Sequence, residues 1–521
     1  MGWDAVVVGG GLGGLTAGAL CATAGQRVLL VEKNEAVGGA ATCFSRGQRR
    51  FEASLHETTH PYSGADPKGR IFRALGLDEK VAFVPIPEFC RIKAPHLGLD
   101  LRLPHGLAPL QAALTEAFPD QRSEIAAFLR QIGRTQEAIA FFVEKHDGAW
   151  WRGHLAELPL DLWAVVRDFR GTLSEVMQRY FGSAEALKLA LTANLCYYTD
   201  DPDTFWWLAY AVAQGGFFKG GGYYIKGGSA ALSAALADII TANGGTILTG
   251  MAASEILCDH DGAVCGLRLA DGRAELTSCV FGNASPHALA AMLPPEQARA
   301  LRDSFADRQP SISLFEASIA LDRPGSALGI DSYSTAFLPD WMTNLSDFTQ
   351  AAAILGNAPG GRLPPMIVVD YGQINSGLAE NVPAPISITG IDRLENWHGL
   401  SDQDYRARKK AWLDALIARC DEAWPGFAAA VQSADLATAR TMADFLGSPG
   451  GAVYGFAPRP PRLSMPGPRG QVQSNTPVPG LWLASAYAGF GGFTGAMGGG
   501  AMAALKALRD TGNAKAQGND S

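Results

Sequence analysis

A short apolar run at residues 3–8, broken only by Asp4, opens the chain and has the pattern of a buried parallel strand. A glycine-rich turn follows at residues 9–14. Residues 15–24 are small, apolar and uncharged, which predicts a helix ending near Gly25. Residues 27–31 repeat the buried-strand pattern and lead into Glu32. Strand, turn, helix and strand make one complete βαβ opening.

The pattern changes at about residue 66. Charged positions, tryptophans and helical periodicity dominate up to about 215, most clearly over 107–144 and 173–195. It then reverts. Residues 229–242 predict an apolar helix capped by Ser229 and ended by Gly244-Gly245. A strand is expected at 246–249. Residues 255–258 and 263–269 flank Asp259-His260-Asp261-Gly262, a hairpin signal, and Asp271-Gly272 makes a further turn before a strand at 275–281. A second mixed block, 295–446, carries a charged helix over 402–421. A strand at 480–484 and a helix at 493–508 close the pattern. The simplest organisation is an α/β fold. A Rossmann-like nucleotide-binding domain comes from 1–65, 215–294 and 447–510. It is interleaved with a mixed α+β substrate domain from 66–214 and 295–446, and residues 511–521 form a polar tail.

Composition narrows the function classes. The 521 residues are 47% hydrophobic and 18% charged, ample for a large core. The net charge of −8 argues against a nucleic-acid partner and against simple electrostatic docking on anionic lipid. Eight cysteines stand singly, without a C-x-x-C pair, which excludes a redox dithiol and a zinc-type metal cluster and fits reduced thiols in the cytoplasm. Two stretches, 5–25 and 470–505, carry no charge, are glycine-rich and lack a preceding basic flank of the signal-peptide kind. They read as buried cofactor-binding segments rather than a signal peptide or membrane spans. Nothing in the pattern fixes an oligomeric state.

The chemistry lies in Gly9-x-Gly11-x-x-Gly14, set between a predicted strand and a predicted helix. Gly9 permits the tight turn, Gly11 lets the backbone approach a pyrophosphate, and Gly14 lets the helix pack on the strand. The helix N-terminus presents free N–H groups and the positive end of its dipole. Glu32 ends the second strand, where a carboxylate accepts hydrogen bonds from ribose hydroxyls and repels a 2′-phosphate. A second pair, Gly38-Gly39, lets the chain double back beside a dinucleotide, which FAD enzymes use and nicotinamide enzymes do not need. No second strand–turn–helix unit of this kind appears. Gly220-Gly221-Gly222 has no buried strand before it, so a dedicated NADPH site is not expected.

Together these segments resemble the FAD-dependent amine-oxidase superfamily, in the branch of bacterial phytoene desaturases, carotenoid isomerases and retinol saturases. Three matches carry the resemblance. The first runs from Val6 through Gly14 and Leu15, with Glu32-Lys33 and Gly38-Gly39. The second comprises Lys226-Gly227-Gly228-Ser229, the Asp261-Gly262 hairpin and Asn283-Ala284-Ser285-Pro286. The third comprises Pro479-Gly480-Leu481-Trp482-Leu483 and Gly491-Gly492-Phe493-Thr494-Gly495-Ala496. The resemblance implies FAD as cofactor. It implies that Gly9, Gly11, Leu12, Gly13 and Gly14 hold the pyrophosphate, that Glu32 takes the ribose, and that Lys33 lies beside it. Gly38, Gly39 and Ala40 would line the flavin side of the loop. Ala253 would offer its backbone to adenine, and Gly491, Gly492 and Phe493 would approach the ribityl and isoalloxazine. One departure stands out: where relatives often carry an acid after the Leu-Trp-Leu strand, this chain has Ala484-Ser485-Ala486-Tyr487.

His56, His60 and Tyr62 follow the glycine pair and are candidates to assist proton transfer beside a hydride acceptor, against ordinary hydrogen-bonding roles in a loop. Trp150, Trp151 and Trp163 with Arg152, Arg167 and Arg170, and then Phe205-Trp206-Trp207, read equally as a peripheral membrane anchor at the inner face or as a buried aromatic cap. The expected activity is FAD-dependent chemistry on carbon–carbon bonds of a long apolar lipid (a carotenoid, retinoid-like polyene or unsaturated fatty acyl chain). Desaturation comes first; isomerisation or saturation of the same substrates is the alternative. A flavin amine oxidase and a non-catalytic lipid or prenyl escort stay open, and the intact glycine turn with Glu32 favours an enzyme.

Overall fold

The computed structural model describes residues 2–62, 66–143, 163, 165–463, 468–469, 474–489 and 491–510. Five parallel strands form the first sheet, in the order Leu481–Leu483, Val280–Gly282, Ala5–Val8, Val28–Val31, Thr246–Leu248. Every residue of Ala5–Val8 and Val28–Val31 is buried, which is why both read as continuous apolar runs rather than alternating ones. Because the strands are parallel, their C-terminal ends share one edge. Gly9, Glu32, Asn283 and Ala484 therefore come together from four distant parts of the chain.

The first helix, Leu12–Thr23, starts three residues earlier than the pattern predicts. Gly11 is its N-cap, so Gly13 and Gly14 lie inside the helix rather than in the turn. All residues from Leu12 to Ala22 are buried. The helix is wrapped by the sheet, by Ser229–Ala242 and by Gly492–Asp510. Burial on all sides explains the absence of charge. No helix among the described residues is long and apolar enough to cross a membrane.

Ser229–Ala242 has the predicted bounds but not the predicted cap. Gly228 is the N-cap, at φ +86°, and offers no side chain. The capping group is Glu52, from a strand far away in sequence. Its carboxylate accepts from the Ser229 backbone N–H at 2.8 Å and from the Ser229 hydroxyl at 2.6 Å. Two predicted helices are broken. Residues 107–144 divide into Leu107–Ala117 and Arg122–Val143, because Pro119 has no N–H to continue the ladder. Residues 173–195 divide into Leu173–Phe181 and Glu185–Leu191 at Gly182, whose φ is +50°. The expected strand 275–281 is two strands in two sheets. Ala274–Leu276 joins the antiparallel hairpin of Ala253–Cys258 and Val264–Leu269, and Val280–Gly282 enters the parallel sheet.

A second, seven-stranded sheet draws on Cys90–Ala94 and Leu99–Leu103 and on five strands between Ser313 and Ala437. It is antiparallel except where Ser334–Phe337 pairs with Cys90–Ala94. Helix Asp402–Ala423 covers one face with buried Trp412, Leu416 and Cys420. Of the aromatic segments, Phe205 and Trp207 are buried in the core, and the Trp206 indole N–H donates to the Phe169 carbonyl at 2.7 Å. These three are packing residues, not an interfacial anchor. Arg167 pairs with Asp168, while Trp163 is exposed. Trp150, Trp151 and Arg152 lie outside the described residues.

Candidate cofactor and substrate site

The glycine turn sits against Asn283, which follows the strand Val280–Gly282 and donates its backbone N–H to the Val8 carbonyl at 2.8 Å. A Cβ on Gly11 would stand 2.5 Å from Asn283 Nδ2, and one on Gly14 would stand 2.3 Å from the Gly9 carbonyl oxygen. Gly13 is needed for a different approach: its Cβ would meet the Ala484 carbonyl at 2.3 Å. The turn is thus built as much for packing among strand ends as for contact with a ligand. The helix it opens has no side-chain cap and no acid in its first turn. That leaves an N-terminus suited to a phosphate rather than one already neutralised.

Gly38 and Gly39 double back as expected. Both have positive φ, the Gly38 N–H donates to the Gly10 carbonyl at 2.7 Å, and Gly38 bridges to Gly11. Glu32 is buried at 5% exposure, with each carboxylate oxygen holding one backbone N–H: Gly10 at 2.7 Å and Asn34 at 2.8 Å. The acid therefore braces the turn, and the remaining lone pairs of both oxygens are left to accept from hydroxyls. Lys33 is exposed beside Gly447. Ala253 is not ahead of a strand but is its first residue, paired with Leu269. Met251, two residues earlier, donates to the Glu32 carbonyl, which brings this segment alongside Glu32. At the far end, Gly491 packs against Tyr454, whereas a Cβ on Gly492 (φ +75°) would meet nothing among the described residues, leaving open space among them at the start of the last helix. Phe493 is half-buried.

Residues 53–62 and 66–68 reach both walls of this region. Ser54 Oγ donates to the Ala40 carbonyl at 2.7 Å, and Lys68 Nζ donates to Thr494 beside Phe493. Lys68 is buried and paired with Asp66 at 2.6 Å; burial lowers its ammonium pKa and Asp66 opposes that shift. Along this segment the three candidate side chains separate. His56 is buried, its Nε2 3.3 Å from Glu316, and its ring lies 5.4 Å from that of Tyr197. His60 packs on Phe83 and Tyr223, and burial lowers its pKa. Tyr62 is 43% exposed and donates to Asp78, so it faces away from His56. The residue that sequence reasoning missed is Glu57. It lies next to His56, and burial pushes its carboxyl up to about 8. Its position beside a flagged histidine was the only signal available.

Residues 7–69 match the NAD(P)-binding Rossmann-like domain. Over 92% of its length the chain is 23% identical to all-trans-retinol 13,14-reductase of Macaca fascicularis, covering 81% of that protein. Over 88% it is 23% identical to the chloroplastic prolycopene isomerase of Arabidopsis thaliana, covering 75% of it. The fold matches cyclohexylamine oxidase from Brevibacterium oxydans with a TM-score of 0.58 at 16% identity, over 99% of both chains. The chain thus resembles proteins named as a retinol reductase and a prolycopene isomerase in sequence, and an amine oxidase in fold. It is an FAD-dependent oxidoreductase. The acid-free helix N-terminus, the braced Glu32 and the open space at Gly492 fit a dinucleotide with a flavin at its far end.

Proposed function

We propose that this FAD-dependent oxidoreductase acts on carbon–carbon double bonds of a long, largely apolar polyene or unsaturated acyl lipid. The observation that carries the reading is the similarity over most of the chain to two proteins whose names state a retinoid and a carotenoid substrate. The flavin, when bound, accepts or returns a hydride. The chain positions the substrate, excludes water and handles the proton. Desaturation is the leading reaction, because the described residues contain no second strand–glycine turn–helix unit to recruit NADPH; saturation and isomerisation would use the same geometry. Gly220 ends helix Trp207–Gly220 rather than following a strand.

Within this reading Gly9, Gly11 and Leu12 cradle the pyrophosphate, with Gly13 and Gly14 acting through packing. Glu32 takes the ribose, and Lys33 flanks the adenosine end. Met251 and Ala253 border the adenine, and Gly38 to Ala40 with Gly491 to Phe493 border the flavin. Residues 1–65, 215–294 and 447–510 make up the FAD unit.

Glu32→Ala is expected to raise the FAD dissociation constant by about 10- to 100-fold, since it removes charge-assisted hydrogen bonds worth about 1.5–3 kcal/mol and also unbraces Gly10. Equilibrium titration of apoprotein with FAD measures this, and an unchanged constant would mean the ribose is held elsewhere. Stopped-flow mixing of oxidised protein with NADPH is expected to leave the flavin absorbance unbleached on a catalytic time scale; rapid bleaching would refute that expectation. The function itself is tested anaerobically. Oxidised and photoreduced protein are mixed with polyenes, unsaturated acyl lipids and small amines, following flavin absorbance and the extracted lipid by chromatography. A changed lipid is expected. Reduction by an amine with no change in any lipid would overturn the assignment.

A further inference from the structure

Strand Ser313–Leu321 lies inside the seven-stranded sheet, and every residue of it is buried. Its side chains alternate between the two faces. Phe315, Ala317, Ile319 and Leu321 enter the core under helix Asp402–Ala423. Glu316 therefore points to the opposite face, where it meets His56. It is 5% exposed, and among the described residues no lysine or arginine comes within ion-pair distance of it. Two donors reach its carboxylate, both at Oε1: the Ser387 hydroxyl, and His56 Nε2 at 3.3 Å. Cys196, Tyr197, Tyr371 and Tyr454 lie within electrostatic reach, and burial keeps all four thiol and phenol groups neutral. Among the described residues His56 is thus the group against Glu316 that can carry a positive charge. A buried carboxylate without a fixed cation is a cost to the fold.

The histidine is held as firmly as the acid. Its carbonyl accepts from the Tyr333 hydroxyl, and the preceding carbonyl, of Leu55, accepts from Tyr371 at 2.9 Å. Its ring lies against Tyr197, with the centroids 5.4 Å apart. With Nε2 turned to a carboxylate, the ring proton of the neutral imidazole sits there and Nδ1 keeps its lone pair. Nδ1 makes no hydrogen bond among the described residues, and 7% of the side-chain surface stays accessible. Two residues earlier, Ser54 bonds to the Ala40 carbonyl in the glycine loop. On the other side Tyr454, within reach of Glu316, packs on Gly491. The pair stands between the two segments assigned above to the borders of the flavin.

We propose that Glu316 is a positioning residue that holds His56 as the Nε2–H tautomer, and that His56 Nδ1 takes the substrate proton. This rests on the carbon–carbon reading above and assigns its proton step to a named atom. In desaturation one carbon loses a hydride, which carries two electrons to the oxidised flavin. The adjacent carbon gives its proton to Nδ1, and the electron pair of that C–H bond becomes the new double bond. Imidazolium and carboxylate then balance each other, so the buried charge is neutralised as the proton arrives. The proton returns to solvent between turnovers. In saturation the same nitrogen delivers it.

The test uses FAD-loaded protein carrying isotope-labelled histidine, and three lipid probes: phytoene, retinol and methyl linoleate, each mixed with oxidised and with photoreduced protein. Nitrogen NMR, with His56→Asn to assign the signal, is expected to show neutral His56 protonated at Nε2. Glu316→Gln keeps an acceptor for Ser387 and should leave flavin content and thermal midpoint unchanged. Its amide can donate to Nε2, so the Nδ1–H form should appear. On whichever probe the wild type converts, His56→Asn should slow conversion by about a hundredfold and Glu316→Gln by about tenfold or more, with probe affinity unchanged. The double variant should be no slower than His56→Asn alone, because Glu316 acts through the histidine. Wild-type His56 protonated at Nδ1, or a double variant slowed by the product of the single effects, would overturn the pairing. Single variants as fast as the wild type would overturn the proton role while sparing the lipid reading. Conversion of no probe by the wild type would overturn the lipid reading and the proton role with it.

Discussion

Gly11→Val is expected to yield a protein that purifies without flavin. A Cβ at this position would stand 2.5 Å from Asn283 Nδ2, and valine adds two methyl groups at the branch. The Asn283 backbone is fixed by its N–H bond to the Val8 carbonyl, so the branched side chain displaces the Asn283 amide or shifts the turn and its bridge to Gly38. Overpacking of this kind costs about 1–3 kcal/mol before any phosphate contact is lost. With the displaced N–H groups added, flavin affinity should fall by more than about a hundredfold. Absorbance of the purified variant measures it, and stoichiometric flavin there would remove the N-terminal unit from consideration.

The second large effect is expected far from any ligand contact. Gly500 lies inside Gly492–Asp510, where helix propensity alone predicts that alanine would stabilise by about 1 kcal/mol. Packing says the opposite. A Cβ on Gly500 would fall 2.0 Å from the Gly13 carbonyl oxygen and 3.0 Å from Gly13 Cα, which is backbone on both sides and cannot rotate away. Neighbouring Gly499 meets the Ser485 carbonyl in the same manner, at 2.4 Å. The first and last helices therefore cross at bare backbone. Gly500→Ala should destabilise by about 2 kcal/mol net or more, lowering the thermal midpoint by several degrees. Gly498→Ala is the control, since nothing lies within 4 Å of its Cβ; it should be neutral or slightly stabilising. A Gly500→Ala protein as stable as the wild type would show that the helices can separate freely.

The contrast between these glycines shows what could be read from the chain alone. Gly9, Gly38 and Gly39 announce themselves, because positive φ and a doubled-back chain are local requirements with a local signature. The end of Ser229–Ala242 was legible for the same reason, since Gly244-Gly245 follows the apolar run, whereas Ser229, read as the cap, is the first helical residue. Gly13, Gly499 and Gly500 carry no such signature, since the Ala484, Ser485 and Gly13 carbonyls that exclude a side chain there arrive from distant sequence. The strand expected at 275–281 failed likewise. Apolar content marked both Ala274–Leu276 and Val280–Gly282, but which sheet each joined depended on neighbours that local pattern does not encode.

Two glutamates five positions apart separate the two kinds of information. The sequence by itself determined that a Rossmann-like βαβ unit opens the chain, that Glu32 ends its second strand, and that the stretch holding His56, His60 and Tyr62 follows the second glycine pair. It could not distinguish Glu52 from Glu57, which are the same residue type in the same segment. Tertiary structure surrounds Glu52 with donors from Ser229, Tyr224, Ala53 and Ser54, making it a helix cap. Among the described residues it leaves Glu57 Oε2 buried without one. The physical reason is that turn geometry and burial periodicity are properties of a few consecutive residues, whereas the cost of a buried carboxyl depends on which donors the rest of the fold delivers to it.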